Sequence, residues 1–368
     1  MVTILKNNRG IAFVVVIFLS SILLTIIGAS LLFSQLDLKT TSSFKVGTNV
    51  IQVADAGIQH ALATIPNGTD FTYGSGATVL STTPFPTAAS GYSYDVTATN
   101  NTPSSPSTST AILTSTAVGP NGTRKVIVAY IGRSGYGLGA VGLPGSTAAN
   151  TETNFSGTSF SINGNDNCNA TPAVPGIVVT DPALATEMTN DTTSDGGLAS
   201  NQMNLVTGVG GTPSIATITP LSQTVSQIVD AYLNLSHTDL AGGNYSSNGN
   251  WGTSTTPQIT RVTGDAQIQG TIEGYGVLIV DGALGVAGNF TFHGLVIARG
   301  QVQVQVTGNA GIYGSLLIAA NTTPDAGYEL DVRGNAHIRY DSCALAAAND
   351  WVTLPKAAKL LAWQEKFF

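Results

Sequence analysis

The chain has 368 residues, enough for one large domain or two smaller ones with a buried core. Charged residues are only 10% against 42% hydrophobic, and Gly, Thr, Ser and Asn are abundant, which suits strands joined by tight turns and argues against a helical soluble enzyme or a disordered chain. The formal net charge of −7, with no basic patch beyond Arg124-Lys125, argues against nucleic-acid binding, which needs several clustered cations for counterion release.

The amino terminus carries Lys6 and Arg9 and no acidic residue, and from Ile11 to Phe33 the chain has no charge at all. At about 1.5 Å per residue that run crosses the hydrocarbon core of a bilayer as a helix. The positive-inside rule keeps residues 1–10 cytoplasmic and sends everything after Phe33 outward, giving a single-pass membrane protein. A cleaved signal peptide is the alternative, but Ala29-Ser30-Leu31 lies inside the apolar run, not beyond it. Helical periodicity continues through Gly47, Val50, Ala54, Ile58, Ala61 and Ile65 until Pro66-Asn67-Gly68 breaks it. The spacing predicts one helix over residues 11–65, membrane-spanning over 11–33 and amphipathic afterwards.

Residues 66–145 read as a β-strand region: over 67–135 Thr or Ser alternates with apolar side chains, as in Gly91–Thr99 and Arg124–Ile131, giving antiparallel strands around an exposed loop at Asn100–Ser109, and the glycine-rich Gly132–Gly145 reads as a connection. The glycines of Gly135–Gly139 lack the spacing of a nucleotide loop. Over residues 146–350 short strands end in glycine, and a unit G-[DN]-A-x-I-x-[GY] occurs at Gly264 and Gly334 with a relative at Gly308. Fully apolar strands at Val277–Val280, Leu295–Ala298 and Leu316–Ala320 alternate with these units. Spacings of about 20 residues predict parallel coils of a β-solenoid, with a β-sandwich as the alternative. A helix is expected near residues 220–235, from Val225, Ile228, Val229, Tyr232 and Leu235, covering the solenoid or capping its open end. The tail, 351–368, reads as a second short amphipathic element with Trp363 as a packing anchor. The expected fold is therefore α+β and mainly β: a long amino-terminal helix, a β-rich region and a parallel β-solenoid-like domain.

Because β-solenoids include polysaccharide-cleaving enzymes, the acids Asp265, Glu273, Asp281, Asp325, Glu329 and Asp331 are candidates, but they are mostly single and often beside glycine. His60, His237, His293 and His337 form no HxxxH or HxH pair, and no GxSxG elbow occurs. Asn163, Asn165, Asp166 and Asn167 crowd one loop but fall short of a calcium-binding EF-hand. No catalytic residue, metal or cofactor is assigned, and the chain is expected not to be an enzyme. Cys168 and Cys343 lack short metal or redox spacing, and are either separate buried thiols or, in an exported domain, one disulfide.

Asn8-Arg9-Gly10 followed by Ile11–Val16 resembles the class III leader of type IV prepilins, and Ala54–Leu62 resembles the A-E-A-G-hydrophobic-x-x-A-L segment of PilX-type minor pilins. Strands at Gly276–Gly282, Phe290–Ile297 and Ile338–Cys343, with the segment Ile162–Cys168, are similar to the carboxyl-terminal region of the same family. The resemblance implies cleavage after Gly10 by a prepilin peptidase, methylation at Ile11, and incorporation into a type IV pilus with other pilins and minor pilins, a tip adhesin among them. It places Cys168 and Cys343 near the two ends of the solenoid-like block, where a bond would close a long loop and stabilise by about 2–5 kcal/mol; pairing with a partner protein is the alternative. Major pilins carry a glutamate where this chain has Val15, so the departure favours a rare initiating or tip-located subunit. A type II secretion pseudopilin, a signal-anchored surface solenoid outside any fibre and a carbohydrate-active enzyme are the other readings.

Overall fold

The computed structural model of the protein describes residues 8–66, 68, 70–87, 90–100, 110–190, 196–218, 221, 223–319 and 328–366. In chain order it comprises helix α1 (Asn8–Thr64), strands β1 (Ala77–Pro84), β2 (Ser93–Asn100), β3 (Thr110–Val118), β4 (Arg124–Tyr136), β5 (Val141–Leu143), β6 (Thr153–Ser156), β7 (Ser161–Asn163) and β8 (Ile177–Val179), then helix α2 (Pro182–Met188). Next come β9 (Val206–Thr207), β10 (Ile215–Thr217), helix α3 (Val225–Leu233), β11 (Thr238–Tyr245), β12 (Gly249–Trp251), β13 (Gln258–Ile268), β14 (Thr271–Val280) and β15 (Leu284–Val286). The chain ends with β16 (Asn289–Ala298), β17 (Val302–Ile318), β18 (Leu330–Tyr340), helix α4 (Ala344–Trp351) and β19 (Lys356–Lys366).

Helix α1 has 57 residues, a rod of about 85 Å at 1.5 Å per residue. It stops before Pro66, which lacks an N–H and disfavours helical geometry at Ile65. Its last turns lie on a five-stranded antiparallel sheet ordered β1-β2-β3-β4-β19. Alternation along β2, β3 and β4 puts Val96, Ala98, Leu113, Ile127, Ala129 and Ile131 into one core with Val50, Ala54, Ile58, Ala61 and Ile65 of the helix. Gly57 permits the close approach, since a Cβ there would stand 2.5 Å from the Ser115 hydroxyl and 3.0 Å from the Tyr94 ring.

The tail forms the edge strand of this sheet. Its Ala, Leu and Lys content favours helix, but β4 offers a free edge, and Lys356 through Lys366 pair with Tyr136 through Val126. Ladder hydrogen bonds outweigh a weak propensity. Trp363 lies opposite Ala129 and is 54% exposed, so it does not anchor packing as its chemistry suggests.

The second sheet is a parallel β-solenoid. From β11 onward each turn of chain lays three strand segments on three walls, each paired in register with the segment one turn later. On the first wall Thr260, Leu278, Val296 and Leu316 align. Ile268, Val286, Val304 and Val332 align on the second, and Ile272, Phe290, Ala310 and Ala336 on the third. The first wall is buried on both faces: Val277–Val280 and Leu295–Ala298 are fully buried, inside by the opposite walls and outside by helices. Helix α4 packs on β14, β16 and β17, and α3 joins it through a hydrogen bond from the Tyr232 hydroxyl to the Ala348 carbonyl, 2.9 Å. Double coverage explains why these strands read as unbroken apolar runs. Helix α3 starts at a capping box, with Thr224 accepting from the Gln227 N–H and the Gln227 side chain accepting from the Thr224 N–H. At one corner Gly276, Gly294 and Gly314 stack with positive φ, and a Cβ on either of the last two would strike the carbonyl of the glycine one turn before.

The coils do not stack in chain order. Coil 314–340 pairs onward with an earlier segment: Leu316 with Val141, Val332 with Phe155 and Ile338 with Ile162. The stack then continues from Val141 to Ile177 and Ile215. After β10 the chain returns through α3 to β11 at the far end, and winds back until coil 314–340 meets coil 141–163. The solenoid thus begins at Val141, slightly before the expected boundary at 146. This seam also changes the reading of the cysteines. Cys168 and Cys343, expected at the two ends of the block, meet within the stack and form a disulfide across 175 residues of sequence with Cα atoms 6.1 Å apart.

Candidate functional site

The most distinctive surface lies on α1. From Phe13 to Phe44 its large apolar side chains are exposed, Leu24 at 69% and Val15 at 48%. The most apolar part has a mean hydropathy of 2.6, is none of it buried, and qualifies by length and composition to cross a membrane. Three hydroxyls there bond back to the helix's own carbonyls: the Ser20 hydroxyl donates to the Val16 carbonyl at 2.7 Å, Ser21 to Phe18 at 2.9 Å and Thr25 to Ser21 at 2.9 Å. Such back-bonding removes the need for water at these hydroxyls. The backbone at Arg9, Gly10 and Ile11 is already helical, and Lys6 lies outside the described residues.

On the solenoid four of the candidate acids act as struts between coils. Asp265 accepts from the Ala283 N–H at 2.8 Å, and Asp281 pairs with Arg261 at 2.7 Å and Arg299 at 3.3 Å. Glu329 accepts from the Glu152 N–H at 2.6 Å, and Asp331 takes Asn154 at 2.9 Å and Arg333 at 2.7 Å. Glu273 accepts from the Tyr275 hydroxyl at 3.0 Å. Asp325 lies outside the described residues. Each of the other five carboxylates is thus engaged by a protein donor.

The histidines are dispersed. His60 bonds the Tyr94 hydroxyl at 2.8 Å, and His237 bonds the Leu235 carbonyl at 2.8 Å. His293 is stacked between Tyr275 and Tyr313, ring centroids 4.6 and 4.9 Å away and planes within 10°. Burial lowers its pKa below the ordinary histidine value, while the Asp341 and Glu273 carboxylates pull the other way. This outward ladder on the third wall was not anticipated from sequence; the signal was there, because the three residues occupy the same position in successive coils. His337 meets the Ser161 hydroxyl at 2.8 Å, and burial followed by the Arg339 charge lowers its pKa. The pair resembles a nucleophile and base, yet among the described residues no carboxylate bonds the imidazole to orient it.

The loop Asn163–Asn167 is a clamp. The Asp166 carboxylate accepts from the N–H groups of Ala170 (2.9 Å), Thr171 (2.7 Å) and Ser342 (2.8 Å), and from the Ser342 hydroxyl (2.7 Å). Burial by itself raises its pKa, but the bonds from Ser342 and Thr171 prevail and hold it below the ordinary carboxylate value. Asn167 adds a bond to Asp341 at 2.8 Å. Donors that a calcium ion would displace already occupy Asp166. Cys168, Asp341 and Cys343 bring three potential metal-ligand atoms together, but sulfurs bonded to each other offer no thiolate.

No family model matches this chain, and no curated protein does. Among solved structures, the competence-associated pilin ComZ from Thermus thermophilus aligns over 88% of this chain and 98% of its own, with 11% identity and a TM-score of 0.25.

Proposed function

We propose that the chain is a membrane-anchored, pilin-like structural subunit of a type IV surface fibre, of the PilX-type minor class, and not an enzyme. The observation that carries this reading is the division of α1, whose first half exposes an uncharged apolar surface while its second half is packed into a β-rich body. In this account Lys6 and Arg9 hold the amino terminus in the cytoplasm, a prepilin peptidase cuts after Gly10, and Ile11 becomes the methylated first residue of the mature chain. The apolar half then holds the subunit in the inner membrane and later packs among helices of other pilins and minor pilins. Ser20, Ser21, Gly28, Ala29 and Ser30 permit close helix approach. The absence of a carboxylate at Val15 fits an initiating or tip-located subunit, with the solenoid turned outward to contact neighbours, a tip adhesin or a surface.

The test is the mass and amino-terminal sequence of the protein recovered from membranes and from sheared surface fibres. A chain starting at Ile11 with one added methyl, present in the fibres, is the expected result. An intact Met1 confined to membranes would replace this reading with a surface solenoid on a permanent anchor.

A further inference from the structure

We propose that the seam between coils 314–340 and 141–163 is a redox-sensitive latch, closed by the Cys168–Cys343 disulfide, and that the solenoid opens first at this plane. From β11 to β18 the chain leaving one coil enters the next, so those coils cannot part without unwinding. The seam differs. Its two coils are far apart in sequence and meet only by stacking, with the chain between them passing through both ends of the stack. Ladder bonds such as Leu316 N–H to the Ala140 carbonyl (2.9 Å) and Glu329 N–H to the Glu152 carbonyl (2.9 Å) cross it. Side chains cross it too, in Asn154 to Asp331, Ser161 to His337 and Asp166 to Ser342. The disulfide is the covalent link at that plane.

The connections to the antiparallel sheet also converge there. Strand β4 runs on into β5 on one side of the seam, while β18 leads through α4 to β19 on the other, and β4 and β19 are paired. Tension between sheet and solenoid therefore reaches the two seam coils by separate chain segments, and the disulfide joins those coils where their third-wall strands end. Cys343 is exposed, so a thiol reductant can reach it. A dithiol such as dithiothreitol would cleave the sulfur–sulfur bond to two thiols and itself be oxidised to its cyclic disulfide.

Hydrogen exchange with mass spectrometry on the full chain in detergent, before and after dithiothreitol, tests the latch. Complete reduction is verified by alkylation mass. Amides crossing the seam, Leu316 and Glu329 among them, should exchange about 30- to 4,000-fold faster after reduction, the ratio equivalent to the usual loss of one long-loop disulfide. Amides between consecutive coils, such as Asp281 and Arg299, should change by less than about threefold. The double variant Cys168→Ser/Cys343→Ser, mapped without reductant, should reproduce the reduced pattern. Faster exchange of all coils together, or unchanged exchange at the seam, would overturn the proposal. Should the variant fail to fold, the reduced native chain still decides between these outcomes.

Discussion

The two halves of α1 are one continuous helix placed in two surroundings. Around Ile58, 1% exposed, every apolar side chain on the inner face meets a strand, and the opposite face carries Asp55 and Gln59. Around Leu24, apolar side chains point in all directions and meet nothing. In water the second arrangement leaves a large apolar area hydrated at roughly 25 cal/mol per Å². What distinguishes the halves is therefore the solvent each is built for.

An aspartate placed in each half is the sharpest way to break this comparison. Ile58→Asp places an unpaired carboxylate in the helix–sheet core and should cost about 4 kcal/mol or more, read as loss of the cooperative denaturant transition. Leu24→Asp should leave that transition in detergent unchanged while weakening membrane insertion by about 3 kcal/mol, read by partition into membranes. A smaller effect is expected at the contact that brings helix and sheet together: Gly57→Leu should destabilise by about 1–3 kcal/mol through overpacking against Ser115 and Tyr94, measured by the same transition.

Acid probes the solenoid instead of the helix. The folded pKa of Asp166 is depressed, so its contribution is complete above the ordinary aspartate pKa near 3.9 and is lost as pH falls further. Stability measured from about pH 5 downward should decline, and Asp166→Asn should remove that part of the pH dependence. The smallest effect belongs to the sheet edge, where Trp363→Ala should change stability by less than about 1 kcal/mol, because the ring is 54% exposed.

Much of the architecture was legible in the sequence, for reasons that can be named. The α1 halves followed from the uncharged run before Phe33 and the three- and four-residue steps through Ile65. Solenoid coils followed from glycine-bounded alternation and from strands such as Val277–Val280, whose unbroken apolarity reports burial on both faces. The stacking order was not legible. Alternation fixes which face of a coil is inward but not which coil lies above it, so coil 314–340 could be assigned to coil 141–163 only from coordinates. The same limit hid the meeting of the cysteines at a seam. Asp166 looked like a loop acid because its donor, Ser342, is 176 residues away. The strand at Lys356–Lys366 was hidden for a related reason, since the free edge of β4 decides its conformation and its own propensity does not.

The division of α1 is tested most directly by photo-cross-linking the full chain in vesicles that contain a photoactivatable lipid, followed by peptide mapping. The account predicts adducts confined to the apolar half, within residues 11–36, and none across Val50–Thr64. Adducts spread over both halves, or absent from the apolar half, would contradict it.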